Sequence, residues 1–110
     1  MQTKGSHVIA DVWLEEFAND NELLKVLIDK ALYASGMQII DCKWHEFDGG
    51  GFTGVWLLAE SHFSIHTFPE QNYMSIDCYT CGACKPLNVV NSLLAEFSIE
   101  KCKIQVIGRG

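Results

Sequence analysis

The stretch AESHFSIHTFPEQNYMSIDCYTCG, Ala59 to Gly82, carries the pattern on which the fold turns. In an extended chain successive side chains alternate between two faces, so Phe63, Ile65 and Thr67 share one face while His62, Ser64, His66 and Phe68 share the other. The first is the face of a core. The second is polar but uncharged, which suits a solvated sheet surface or a site. Pro69 ends this strand, and MSIDCYTC, Met74 to Cys81, alternates as the next one.

Moving outward, Asp48-Gly49-Gly50-Gly51 reads as a turn between two further strands, MQIIDCKWHEF (Met37 to Phe47) and TGVWLLAE (Thr53 to Glu60). Three consecutive glycines suit a hairpin loop, and they would also let backbone approach a ligand closely. SHVIADVW (Ser6 to Trp13) and KCKIQVIG (Lys101 to Gly108) have strand composition. Asn19 and Glu22 stand at capping-box spacing ahead of a helix with Leu23, Leu24, Leu27, Ile28 and Ala31 at helical periodicity and Gly36 as its stop. Pro86 opens a second helix, with Leu87, Val90, Leu93, Leu94 and Phe97 on one face. The order strand, helix, strands, then strands, helix, strand predicts an α+β fold: an antiparallel β-sheet with two α-helices packed on one face. Such a sheet leaves its other face for solvent or a partner, and a second copy could cover it.

At 110 residues the chain is a single domain, 1–110, with a globular balance of apolar and charged residues. Eight basic and fourteen acidic residues give a net charge of −6, and no Lys/Arg cluster offers the phosphate-neutralising surface that nucleic acid requires. A cationic small molecule is the more natural partner. No apolar run approaches membrane-spanning length and the N-terminus lacks a signal-peptide pattern, so the expected location is the cytoplasm, with no membrane partner. Five cysteines, an odd number, argue for reduced thiols rather than a disulfide framework.

Three chemistries compete for the polar strand residues. Cys78, Cys81 and Cys84 are spaced C-x2-C-x2-C, as in zinc or iron–sulfur sites, but no fourth cysteine follows. In a regular strand Cys78 and Cys81 would also point to opposite faces, so no metal site is assigned. Cys81-Gly82-Ala83-Cys84 is a C-x-x-C of thiol–disulfide type, but only part of the usual context surrounds it. Finally, Ser61 lies at a strand junction near two histidines, and the nearest electrophile to its hydroxyl is the carbonyl of Glu60. Attack there would be intramolecular, and the serine would break its own chain.

GGGFTGVWLLAESHFSIHTFPEQNYMSIDCYTCG resembles the core of the prokaryotic S-adenosylmethionine decarboxylase family, whose hallmarks are Glu-Ser-His, then Ser/Thr-Ile-His-Thr, Pro-Glu and Phe/Tyr-Thr-Cys-Gly. The likeness is collinear over nearly the whole chain and includes Gly5-Ser6-His7. It implies a proenzyme that cuts itself between Glu60 and Ser61 into 1–60 and 61–110, leaving a pyruvoyl group made from Ser61 as cofactor. By the same resemblance Thr53 stabilises the tetrahedral intermediate of cleavage, His66 removes the Ser61 α-proton and Cys81 returns a proton to the decarboxylated product. Phe47 would stack on adenine, Glu70 would bind the ribose hydroxyls, and the processed protomers would form a homodimer serving spermidine synthesis. Ser61 and His66 fall on opposite faces of an ideal strand, so a bulge or kink would have to re-aim one of them.

The chain departs from the family pattern at Ser6, where relatives often carry arginine, and at Phe68, where they carry tryptophan. Both positions bear on substrate contacts, and pyruvoyl-dependent decarboxylation of ornithine or arginine on the same fold is the nearest alternative. An inactive binding or regulatory relative is the alternative from another class.

Two fragments of 60 and 50 residues are expected on a denaturing gel, the smaller blocked at its N-terminus by a ketone. Ser61→Ala should remain one uncut chain, and cutting in that variant would remove Ser61 as the nucleophile.

Overall fold

The computed structural model describes residues 4–110. Its elements run β1 (Gly5–Leu14), α1 (Asn21–Ala34), β2 (Ile39–Glu46), β3 (Phe52–Leu58), β4 (Ser61–Phe68), a 3-10 turn (Pro69–Gln71), β5 (Tyr73–Cys81), α2 (Pro86–Leu94) and β6 (Ile99–Arg109). The six strands form one sheet in the order β2-β3-β4-β5-β1-β6, with every neighbouring pair antiparallel. Among the described residues no helix is long and apolar enough to cross a membrane.

Alternation along the strands builds the core. Phe63 and Ile65 of β4, Met74, Ile76 and Cys78 of β5, and Val8, Ala10 and Val12 of β1 are all buried on the helix side. The two helices cover them with Leu24, Ile28, Ala31 and Leu32 from α1 and Val89, Val90, Leu93 and Leu94 from α2. Each large side chain removed from water in this way stabilises the fold by roughly 1.5–3 kcal/mol. Trp56 is buried against the edge of Phe63, with ring centroids 5.7 Å apart, and its indole N–H donates to Asp29 Oδ1 at 2.8 Å. That bond removes the cost of hiding the indole's polar tip and ties α1 to β3.

The capping residue of α1 differs from the sequence reading. Asp20 caps the helix by accepting from Leu23 N at 3.0 Å, while Asn19 lies outside it with φ +49°. Asparagine tolerates that left-handed backbone, which leaves the carboxylate one residue later as the acceptor. Leu23, expected on the buried face, is 48% exposed. The Asp48 to Gly51 turn is a hairpin loop closed by Phe47 N donating to Gly51 O at 2.7 Å. Asn21 Nδ2 donates to Gly50 O at 3.3 Å, and Gly50, at φ +95°, has the Asn19 side chain where a Cβ would stand. The glycines therefore dock the hairpin tip against the start of α1, and the tip carries Phe47.

Neither helix covers the opposite face of the sheet. There Ile9, Val55, Leu57, Phe68 and Ile107 are between 36% and 52% exposed, or 47% at Val55.

Candidate active site

The sequence-predicted residues separate into two groups at opposite ends of β4. At its first residue Ser61 is only 8% exposed and points into the helix side, where its Oγ accepts a hydrogen bond from the backbone N–H of Cys81 at 3.3 Å. Glu60, just before it, has φ +62°. Cys81 ends β5 on the open side of the sheet, its thiol 3.5 Å from the Tyr79 hydroxyl.

The second group lies five residues farther along β4, roughly 17 Å at about 3.3 Å per residue. His66 and Thr53 face each other across β4 and β3, with Thr53 Oγ1 3.0 Å from His66 Nδ1. Together with Phe47, Phe68 and Glu70 they line an open cleft of about 350 Å³, within the range of small-molecule sites. The His45 ring meets Phe47 edge to face at 4.6 Å, fixing the exposed aromatic ring in place. The register of β4 against both neighbours is continuous from Ser61 to Phe68, so the bulge or kink that would re-aim Ser61 or His66 is absent. Within one protomer the structure therefore brings Ser61 to Cys81, and Thr53 to His66, Phe47 and Glu70, but does not join the two groups.

The thiols sort by the same alternation. Cys78 is fully buried, and burial, with a smaller contribution from the charge of Asp77, pushes its thiol up to about 12. It is a packing residue, inert as a nucleophile or proton donor near neutrality. Cys84 is partly buried against the core, with its sulfur 3.9 Å from Gly36 O.

Sequence reasoning passed over the polar network beside Ser61. His7 Nε2 lies 3.0 Å and His62 Nε2 3.3 Å from the same oxygen of Asp77, whose other oxygen accepts from Ser64. Arg109 Nη1 lies 3.3 Å from His7 Nδ1 and is a donor only, so His7 accepts there and carries its proton on Nε2, toward Asp77. Two histidines and a carboxylate within 4.8 Å have the composition of a metal centre, but this tautomer joins His7 to Asp77 by a hydrogen bond. Burial opposes ionisation of Asp77, yet hydrogen bonds from Ser64 and His7 and the field of the two imidazoles outweigh it and hold the carboxyl below its ordinary range. Tyr79 stacks on His62 at 5.8 Å, and its hydroxyl occupies the space where a Cβ on Gly5 would stand. The available signal was Asp77 itself, a charge between two core residues on a strand and hence on its open face.

The S-adenosylmethionine decarboxylase family model matches residues 6–110. The S-adenosylmethionine decarboxylase proenzyme of Geobacillus sp. (strain WCH70) is 46% identical over 108 residues, covering 96% of this chain and 82% of that one. The protein of the same name from Bacillus velezensis is 39% identical over 98 residues, covering 87% and 77%. The crystal structure of the adenosylmethionine decarboxylase from Aquifex aeolicus VF5 superposes with a TM-score of 0.92 at 30% identity, over 100% of this chain and 93% of that one.

Removing the Asp77 charge tests the network. A carboxyl held low by the fold contributes stability above its ordinary range and loses it as the pH falls through its folded value. Asp77→Asn should lower thermal stability near neutral pH by roughly 1–3 kcal/mol. The gap from wild type should narrow below about pH 4; a gap that stays constant would show that the charge is not what the network uses.

Proposed function

Because the chain belongs to the S-adenosylmethionine decarboxylase family, we propose that it is a proenzyme that cuts itself between Glu60 and Ser61 and then decarboxylates S-adenosylmethionine. The observation that carries this reading is the meeting of Ser61 with Cys81: a buried hydroxyl at the start of β4, beside the Glu60 carbonyl, with a thiol on the next strand. Ser61 Oγ bonds to the Glu60 carbonyl carbon, its proton passes to the Ser61 nitrogen, and the amide becomes an ester. Loss of the Ser61 α-hydrogen then expels the Glu60 carboxylate, and water replaces the nitrogen, releasing ammonia and leaving a ketone. The residues present fit a pyruvoyl group at position 61, since Cys81, at the end of the neighbouring strand, holds Ser61 Oγ through its backbone N–H and carries a thiol that can give up a proton. Such a group supplies the electron sink for loss of carbon dioxide after condensation with a substrate amine.

His66 is too far from Ser61 on its own strand to act as the base. A second copy, laid face to face by a two-fold axis, would bring one protomer's Thr53, His66, Phe47 and Glu70 to the other's Ser61 and Cys81. The exposed Val55, Leu57, Ile9 and Ile107 side chains favour burial in such a contact. The imidazole would then approach Ser61 from the open side while Oγ lies on the helix side. Phe47 and Glu70 would grip the adenosyl part by stacking and by a charged hydrogen bond, each contributing on the order of 1 kcal/mol or more.

Co-expression separates action within a protomer from action between protomers. His66→Ala alone should stall as an ester that hydroxylamine cleaves, whereas co-expressing it with the uncuttable Ser61→Ala chain should restore ketone-capped fragments from the His66→Ala chain. No restoration, with mixed dimers present, would place the base on the same chain as the serine.

The processed protein should release carbon dioxide from S-adenosylmethionine, and Phe47→Ala and Glu70→Gln should each raise KM by roughly fivefold or more for about 1 kcal/mol lost. Release from ornithine or arginine alone would overturn the substrate while leaving the self-cleavage intact.

A further inference from the structure

The turn that carries the scissile bond violates the usual rules for its length. Leu58 and Ser61 pair across β3 and β4, so Ala59 and Glu60 make a two-residue hairpin loop. Loops of this length favour mirror-image turns, whose twist suits the strands and whose left-handed positions hold glycine, asparagine or aspartate. In this loop only Glu60 has a positive φ, +62°, the pattern of a type II turn, where glycine or asparagine normally stands. The other non-glycine residues with positive φ among those described are Asn19 and Asn72, the residue type that tolerates it.

Nothing local explains a glutamate there. Its side chain is exposed, and no ion pair among the described residues includes it. Left-handed backbone crowds Cβ against the carbonyl that follows it, and that carbonyl is the one Ser61 attacks. The flanks keep the loop from relaxing: Leu58 is 1% and Ser61 8% exposed, Ala59 N donates to Gln38 O at 3.0 Å, and Cys81 N holds Ser61 Oγ at 3.3 Å. A strained residue persists only where its surroundings over-determine it, and such residues gather at functional sites.

We propose that Glu60 is a positioning residue for self-cleavage, its left-handed backbone storing strain at the scissile carbonyl that is released when the Glu60–Ser61 amide becomes an ester. The inference rests on the reading that the chain cuts itself at this bond. In the acyl shift the carbon–oxygen bond forms, the carbon–nitrogen bond breaks and the hydroxyl proton moves to the nitrogen, with nothing oxidised. Afterwards the Glu60 carbonyl hangs from a side-chain oxygen rather than from strand backbone, so the hairpin no longer dictates its φ. The strain belongs to the reactant and not to the product, which lowers the barrier between them.

The test follows cutting over time, by gel and intact mass, in freshly synthesised full-length chain. Glu60→Ala keeps the Cβ and its strain but lacks the carboxylate; it should cut faster than either asparagine or glycine at this position. Glu60→Asn should cut several-fold more slowly and Glu60→Gly at least about tenfold more slowly, following the ease with which each residue adopts positive φ. In the uncuttable Ser61→Ala background, Glu60→Asn should raise the melting temperature over glutamate and alanine, showing that strain has been relieved. Equal cutting by alanine, asparagine and glycine variants would overturn the proposal, as would an alanine variant as slow as glycine, which would assign the effect to the carboxylate. A wild-type chain that stays whole would instead overturn the self-cleavage reading itself, and this inference with it.

Discussion

The two-residue period of one uninterrupted strand governs the rest of the molecule. β4 pairs without a register shift against β3 on one side and β5 on the other. A one-residue slip would turn Phe63 and Ile65 out of the core, so hydrophobic burial locks the register. Once it is locked, an odd-numbered residue of β4 faces the helices and an even-numbered one faces away. Ser61 and His66 differ by an odd number, and they are separated by nearly the length of the strand. Their separation is therefore a consequence of the core, not of any local feature of the site.

The same alternation gives the sheet two chemically different sides. The helix side is a dense apolar layer in which Cys78 is only another small hydrophobic residue. The open side mixes exposed aliphatic residues with a compact polar network around Asp77 at the Ser61 end and an aromatic and carboxylate cleft at the far end. Apolar surface favours a partner, and unlike ends favour an antiparallel one. The proposed two-fold arrangement would be the symmetric way to let one end meet the other.

On the proposed cleavage at Ser61, processing and catalysis would make opposite demands on that position. Before cleavage the hydroxyl would need a protected place, and Ser61 is 8% exposed on the helix side, next to the Glu60 turn. The substrate would need access from the open side, where Cys81 and Tyr79 stand.

Sequence alone determined the element order and the two faces of β4, since alternation and glycine punctuation are properties of short stretches. It also set Cys78 apart from Cys81, by parity within a single strand. It misjudged the cap of α1 by one residue, because the choice between Asn19 and Asp20 depends on how Asn19 packs against Gly50 in a distant hairpin. Tertiary structure alone decided that β1 lies between β5 and β6, which brings His7 to Asp77 across 70 residues of chain and Arg109 to His7 across 102. It also decided that no bulge shortens the path from Ser61 to His66, because both neighbouring strands hold β4 straight. No local pattern encodes either result: each depends on which strands pair, and that is settled by burying one face of the whole sheet at once.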